Sequence, residues 1–257
     1  MAIQSDAYKR LINNTLQDPK QAKRFVASIS SAVAANPALQ ECDPPTILAA
    51  GLLGESLELS PSPQLGQYYL LPFDDSKNNR KVATFALGAK GYIQLALRSG
   101  QYRKLNVIEI KKGELIKYDP LTEDIEVNLI DDEVQRDATE TIGYYAMFEY
   151  INGFRKVLYW SKAKMERHAL KYSNAYRYDK NKGKSMSFWS KDFDQMAEKT
   201  LIRQLISKWG LMSHTMQVAV ESDNAVIKED LTTDVVLNEE EVISVPPETE
   251  EVKLDDL

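Results

Sequence analysis

Two polar stripes with the same spacing are the residues of this sequence best suited to hold an anion. The stripes consist of Lys90, Gln94 and Arg98, and of Gln195, Lys199 and Arg203. Within each stripe the residues are four positions apart, so on an α-helix they lie on one face. The first stripe opens with a glycine-broken turn at residues 88–91. Such a face can bind phosphate groups, although an ordinary solvated helix face has the same pattern.

The segment around the second stripe is both basic and aromatic. Residues 155–208 contain 14 Lys or Arg against 5 Asp or Glu, a net charge of +9. The aromatic residues among them are Tyr159, Trp160, Tyr172, Tyr176, Tyr178, Phe188, Trp189 and Phe193. Cations for phosphates mixed with aromatic rings for bases are typical of proteins that bind single-stranded nucleic acid. We predict that Trp160 and Phe193 lie in the core, and that Trp189, after a basic loop, is the candidate for contact with a base.

More cations lie on a predicted strand and on the segment after it, within residues 103–117. Strand alternation puts Lys111 and Lys112 on opposite faces, so at most one of them faces a given groove. The complete set of candidate nucleic-acid contacts is Lys90, Arg98, Lys111, Lys112, Lys117, Trp189, Lys191, Gln195, Lys199 and Arg203.

Enzymatic motifs are weak by comparison. Gly183-Lys184-Ser185 resembles the end of a phosphate-binding P-loop, but the pattern requires a glycine where Tyr178 stands. With two histidines and one cysteine, a zinc site of ordinary composition is not expected, and we predict no cofactor.

The most serious enzymatic alternative is a magnesium-dependent nuclease. Glu109-x-Lys111 on a strand, with a further carboxylate such as Asp75 or Asp119, is a pattern that can hold a metal and orient water. Glu198 falls near the apolar face of the last predicted helix. We expect it to form a structural ion pair or hydrogen bond rather than to act in catalysis.

The charge of the chain is unevenly distributed. Residues 221–257 contain 13 acidic and 2 basic residues, net −11, whereas residues 1–220 have a net charge of +5. This asymmetry favours a body that binds polyanions, followed by an acidic interaction tail. The single cysteine, Cys42, excludes an intrachain disulfide. Together with the lack of a signal peptide or a long apolar run, it predicts a cytoplasmic protein that is not inserted in a membrane.

The periodicity of the sequence predicts an α+β fold of antiparallel hairpins packed with helices. Predicted helices cover 18–35, 45–59, a segment after residue 88, 161–171 and 192–209. Predicted strands cover 67–73, 81–87, 103–113, 115–119 and the two arms of 141–160. Asn152-Gly153 predicts a two-residue type I′ turn. Residues 119–140 and 172–187 are interpreted as loops, and the chain beyond Glu221 as disordered.

Four segments together resemble the RecT family of phage and prophage single-strand annealing proteins. They are PPTILAAGLLGESLELSPSP (44–63), GQYYLLPF (66–73), FALGAKGYIQLALRSGQYRK (85–104) and FWSKDFDQMAEKTLIRQLISKW (188–209). The resemblance extends over about residues 40–215. The tail has no such match.

The resemblance implies a protein that anneals DNA without ATP and without a covalent catalytic step, so it is not expected to be an enzyme. Such proteins coat single-stranded DNA as rings or helical filaments and hold an annealed duplex intermediate. Their core is similar to that of the ring-forming eukaryotic annealing protein. The implied partners are a phage exonuclease and the single-strand-binding protein of the bacterial host.

On this reading, residues 1–40 are a helical oligomerisation region, 41–220 the annealing core and 221–257 the acidic tail. A passive single-strand binder would have the same basic groove, so composition alone leaves that alternative open, beside the nuclease.

Overall fold

The predicted α+β class is confirmed. The structure, a computed structural model, describes residues 6–16, 18–75, 78–227 and 233–234. The helices are α1 (Asp6–Leu16), α2 (Pro19–Ala35), α3 (Pro44–Ser56), α4 (Ala89–Arg98), α5 (Glu133–Ala138), α6 (Lys162–Tyr172), α7 (Asn174–Lys182), α8 (Phe188–Lys191), α9 (Phe193–Trp209) and α10 (His214–Glu221). The strands are β1 (Tyr68–Asp75), β2 (Arg80–Leu87), β3 (Tyr102–Lys111), β4 (Leu115–Asp119), β5 (Asp124–Val127), β6 (Thr141–Tyr150), β7 (Arg155–Ser161), β8 (Val226–Ile227) and β9 (Thr233–Asp234). A 3₁₀ helix at Pro37–Glu41 links α2 to α3.

All strand pairs within these ranges are antiparallel. A three-stranded sheet has the order β3-β6-β7, and β1-β2, β4-β5 and β8-β9 each form a two-stranded sheet. Helix α9 packs against β3, β6 and β7 and also against α4. The helix that carries one polar stripe is therefore in contact with the helix that carries the other.

Local signals explain most of the element boundaries. Asp18 accepts a hydrogen bond from the backbone N–H of Lys20 at 2.9 Å and begins α2, with Pro19 at its first position. Ser161 caps α6 in the same way. One face of α2 is buried through Phe25, Ile29 and Val33, which share a hydrophobic core with α3. Helices and hairpins were therefore predicted where caps and apolar periodicity coincide.

Three local predictions were wrong. Residues 119–140 contain the strand β5 and the short helix α5, and residues 172–187 contain α7, which begins at the cap Ser173 and ends at the left-handed Gly183. The β6–β7 hairpin is confirmed, but its turn is not of type I′. Four residues, 151–154, join the strands, the Tyr150 N–H donates to the Phe154 carbonyl, and Gly153 alone among the four has a positive φ, of 87°.

The acidic tail begins later than its composition suggests. Ser222, Asp223, Ala225, Val226 and Ile227 are buried, and the backbone of residues 224 and 225 pairs with Phe85 of β2. This short segment is part of the core because its apolar side chains add to the packing of α3 and β2. The disorder predicted for 228–232 and 235–257 lies outside the described residues. Within the described ranges, no helix has the length and apolar character needed to cross a bilayer.

Candidate nucleic-acid interface

The first polar stripe lies on α4, directly after a turn that is fixed by close packing. The backbone N–H of Gly88 donates to the carbonyl of Gln67 at 2.8 Å. A Cβ at Gly88 would lie 2.1 Å from the carbonyl oxygen of Gly66, and one at Gly91 would lie 2.1 Å from that of Gln67. The glycines are therefore required by the approach of two backbone segments. Lys90, between them, is exposed.

Arg98, at the end of α4, has a structural task. Its guanidinium donates to the carbonyls of Leu57 and Glu58, both at 2.6 Å, where α3 has ended. Glu58 has a positive φ of 53°, so the arginine fixes a tight reversal of the chain. Arg98 remains about a third exposed and lies 3.8 Å from the carboxylate of Glu58. Arg98 therefore has partners within the protein, whereas Lys90 is exposed on the same helix.

The second stripe, on α9, is divided by burial. Gln195 is exposed and Lys199 is half-buried, but the side chain of Arg203 is only 9% exposed. Its guanidinium lies 3.5 Å from the carboxylate of Asp223, which also accepts hydrogen bonds from the Leu87 N–H and the Tyr92 hydroxyl, each at 2.8 Å. The burial of Arg203 argues against its predicted role in contacting DNA, because its guanidinium faces a buried carboxylate.

Burial also argues against the predicted contact of Lys111 with DNA. Lys111 is 8% exposed, and its ammonium donates to the carboxylate of Glu109 and to the Thr141 hydroxyl, the latter at 2.9 Å. Lys111 is buried and Lys112 is exposed, so only one of the pair can face a groove, as the strand alternation predicted. Lys112 and Lys117 are exposed, and Lys191 on α8 is exposed as well.

Burial argues in the same way against the predicted contact of Trp189 with a base. Trp189 is 3% exposed and packs against Phe193, with ring centroids 5.2 Å apart, and against Tyr176 at 6.1 Å. Trp189 is therefore a core residue that a base cannot reach in this conformation. Its neighbour Phe188 is 62% exposed. Trp160 and Phe193 lie in or against the core, as predicted.

Glu198 lies in a cluster of carboxylates rather than in an ion pair. Burial raises its pKa to about 7, and the nearby charges of Glu109, Asp194 and Asp192 act in the same direction. Within the described residues it forms no ion pair, so the predicted pairing was wrong. The Tyr144 hydroxyl donates to Asp194 at 2.5 Å. Lys199 directly follows Glu198 on α9, so this stripe residue lies next to the acidic cluster.

The sequence analysis counted the cations on α6 and at the end of α9 in the basic segment 155–208 but did not name them as contacts. Burial lowers the pKa of Lys164, and the charges of Lys208 and Arg167 lower it further. Burial also lowers the pKa of His168 to about 4, assisted by Arg203, Lys171 and Lys164. Burial is the larger cause of both shifts, and the contribution from neighbouring cations shows that these charges lie close enough together to repel one another. The Lys164 ammonium lies 4.5 Å above the Trp160 ring.

This crowding marks the region between α6 and α9 as a locus of positive potential that can attract a polyanion. The helical spacing of Lys164, Arg167 and Lys171 was the signal in the sequence that could have found it.

The nuclease pattern is explained by structural contacts. Burial opposes ionisation of Glu109, yet hydrogen bonds from Lys111 and Thr141 and the charge of Lys111 hold its pKa below the usual value. Asp75 binds Arg80 and Asn78 in the β1–β2 hairpin. Among the residues that the structure describes, no three His, Cys, Asp or Glu side chains converge in a way that could hold a metal ion.

Comparison with known proteins identifies the family. The model of the RecT family matches residues 23–241. The chain belongs to the RecT family. It is 41% identical over 216 residues to the uncharacterized protein YqaK of Bacillus subtilis, covering 84% of this chain and 69% of YqaK. It is 26% identical over 234 residues to the protein RecT of Escherichia coli, covering 90% of this chain and 81% of that protein.

Membership of the RecT family supports a role in phage recombination through the annealing of single-stranded DNA, at the level of the family. RecT-family annealing proteins are generally non-enzymatic. The predicted resemblance of the core to the ring-forming eukaryotic annealing protein stays a prediction.

Proposed function

We propose that this protein anneals complementary DNA strands without ATP, by holding their phosphate backbones along a basic surface formed by α4, α6, α8 and α9 together with the β3–β4 turn and β4. The observation that carries the proposal is membership of the RecT family, combined with the crowded cations of α6 and α9. A strand held through its phosphates keeps its Watson–Crick edges free. Neutralising both backbones also removes the repulsion that opposes pairing.

The proposed phosphate contacts are the exposed or half-buried members of the predicted set other than Arg98, whose guanidinium is held by backbone carbonyls, together with the cations that the structure adds. They are Lys90, Lys112, Lys117, Lys191, Gln195 and Lys199, and Lys164, Arg167, Lys171 and Lys208. Four members of the predicted set stabilise the fold instead, because each is held by contacts within the protein: Arg98, Lys111, Trp189 and Arg203.

We infer that the active form is a homo-oligomer, a ring or a helical filament, because a strand longer than one protomer must be held by a series of copies. In this proposal residues 1–40 contribute to contacts between protomers. The acidic tail competes with DNA for the basic surface or recruits a partner such as the phage exonuclease or the host single-strand-binding protein. The setting is the cytoplasm of the bacterial host.

The test is a fluorescence annealing assay with two complementary oligonucleotides, EDTA and no nucleotide. Faster pairing than in the absence of protein is expected. Slower pairing of bound, intact strands would indicate a passive coat. Cleavage that requires added magnesium would favour the Glu109-Lys111 nuclease.

The basic surface has its own test in the salt dependence of DNA binding. Lys199→Ala and Lys191→Ala are each expected to weaken binding and to reduce the slope of log affinity against log salt by about 1, because each removes one phosphate contact. Lys23→Ala, an exposed lysine on α2, is the matched control and should leave the slope unchanged. An unaltered slope in Lys199→Ala and Lys191→Ala would remove both residues from the surface.

A further inference from the structure

The segment between α7 and α9 exposes large apolar side chains. Met186 is 66% exposed and Phe188 is 62% exposed, whereas Trp189, the next residue, is 3% exposed. Tyr178 on α7 is also about half exposed. Single exposed apolar residues are common on protein surfaces, but several bulky ones in one short segment indicate a contact with a ligand or partner.

This segment is held rigidly from both sides. The buried carboxylate of Asp179 accepts hydrogen bonds from the N–H groups of Met186 and Ser187, at 2.9 and 2.7 Å, and from the Ser190 hydroxyl at 2.7 Å. These bonds, led by that from the Ser187 backbone, lower the pKa of Asp179 to about 2. On the other side Trp189 is packed against Phe193. The residues on either side of Phe188 are therefore held by hydrogen bonds and by packing, and these contacts leave the Phe188 side chain exposed.

The chain segment that carries this aromatic side chain is rich in cations. Residues 177–191 contain five Lys or Arg and one acidic residue, and that residue is the hydrogen-bonded, buried Asp179. Lys184 and Lys191 flank Phe188 in sequence and are both exposed. A purely apolar protein partner gains nothing from these charges. A nucleic-acid strand offers both a flat ring for the phenyl group and phosphates for the lysines.

We propose that Phe188 stacks on the bases of bound single-stranded DNA, with Met186 beside it and with Lys184 and Lys191 on the neighbouring phosphates. This inference rests on the proposed function and assigns to Phe188 the base contact that the sequence suggested for Trp189. Stacking uses the face of a base and leaves its pairing edge free. The contact therefore suits a protein that presents a strand to its complement.

The test compares binding of a thymidine oligonucleotide with binding of an abasic oligonucleotide of equal length, which has the phosphates but no bases. Phe188→Ala should weaken thymidine-strand binding by about fivefold to a hundredfold, the usual effect of losing one aromatic stack. Its affinity for the abasic strand and its salt slope should equal those of the wild type. Phe188→Trp should restore the preference for the strand with bases, and Phe188→Leu should not.

Leu121→Ala is the matched control, because Leu121 is a large apolar residue that is 92% exposed in the β4–β5 turn, outside the segment that carries Phe188. Circular dichroism checks that each variant is folded. Equal weakening on both strands would overturn the stacking role, as would unchanged DNA binding with altered sedimentation, which would make Phe188 a contact between copies of the chain. If the wild type bound neither strand, the proposed function would fall, and the inference with it.

Discussion

The stripes on α4 and α9 have the same spacing and different surroundings. In α4, Lys90 is exposed, and Arg98 reaches back to the end of α3 while remaining partly exposed. In α9, Lys199 is half-buried and Arg203 is enclosed beside Asp223. The difference arises because α9 packs against all three strands of the β3-β6-β7 sheet and against α4, and every residue from 201 to 206 is buried. A cation at helical spacing thus becomes a ligand contact or a structural anchor according to what packs around it.

The largest effect that separates the two stripes is expected from Arg203→Ala. The side chain of Asp223 is 0% exposed, so removing the guanidinium leaves a buried carboxylate without its cation. Breaking a buried ion pair in this way lowers the free energy of unfolding by about 3–5 kcal/mol. Urea denaturation measures the loss. The salt slope of DNA binding, measured on the fraction that remains folded, should not change.

A double-mutant cycle with Asp223→Ala sharpens this prediction. Because the two residues interact, the double variant should lose less stability than the sum of the two single variants. If Arg203→Ala were as stable as the wild type and had a lower salt slope, both stripes would be DNA contacts and the contrast between them would disappear.

Arg98→Ala is expected to have the next largest effect. It removes charge-assisted hydrogen bonds to the carbonyls of Leu57 and Glu58, each at 2.6 Å, from a side chain that is partly exposed. A loss of about 1–3 kcal/mol is expected in urea denaturation. Arg98→Lys, which keeps the charge without the two-pronged geometry, should recover only part of it. Full recovery by lysine would mean that charge, and not the anchoring of the α3 end, is what this position supplies.

The sequence predicted those helices and strands that depend on contacts between residues close together in the chain. Helix caps such as Asp18 and Ser161, hairpins and apolar periodicity are local, and the elements they predicted are present. The helix α7 was missed because it is polar on nearly every face, with burial only at Tyr176 and Asp179. Its stabilising contacts lie in the following segment.

The candidate site was harder to predict for the same reason. The buried ammonium of Lys111 contacts the Thr141 hydroxyl on another strand. The buried guanidinium of Arg203 lies beside Asp223, in a segment whose composition suggested a disordered tail. The identity of a partner distant in sequence cannot be inferred from spacing. The exposed lysines at 90, 112, 117 and 191 needed no such partner, and their exposure was predictable.

The acidic surroundings of the α9 stripe should make the stability of the fold depend on pH through Glu198. The pKa of Glu198 is raised from 4.5 to about 7, so between these values the folded state binds more protons than the unfolded state. Stability therefore falls as the pH rises through this window, and the penalty is fully present above pH 7. Glu198→Gln should be more stable than the wild type by about 1–2 kcal/mol at pH 8, after allowance for solvent screening, and by much less at pH 5.

Urea denaturation at a series of pH values measures this difference. Glu126→Gln, on the exposed strand β5, is the control and should differ from the wild type equally at both pH values. A gain for Glu198→Gln that did not depend on pH would mean that the carboxylate is penalised for its shape rather than for its charge.

The smallest effect, and the one that completes the comparison, is expected from Lys90→Ala. Lys90 is exposed on α4, so stability should change by no more than about 0.5 kcal/mol. If the α4 stripe reaches DNA, the salt slope should still fall by about 1, as in Lys199→Ala. A slope reduced by Lys199→Ala alone would confine DNA to the α9 side. The α4 stripe would then serve the fold throughout, with Arg98 as its anchor.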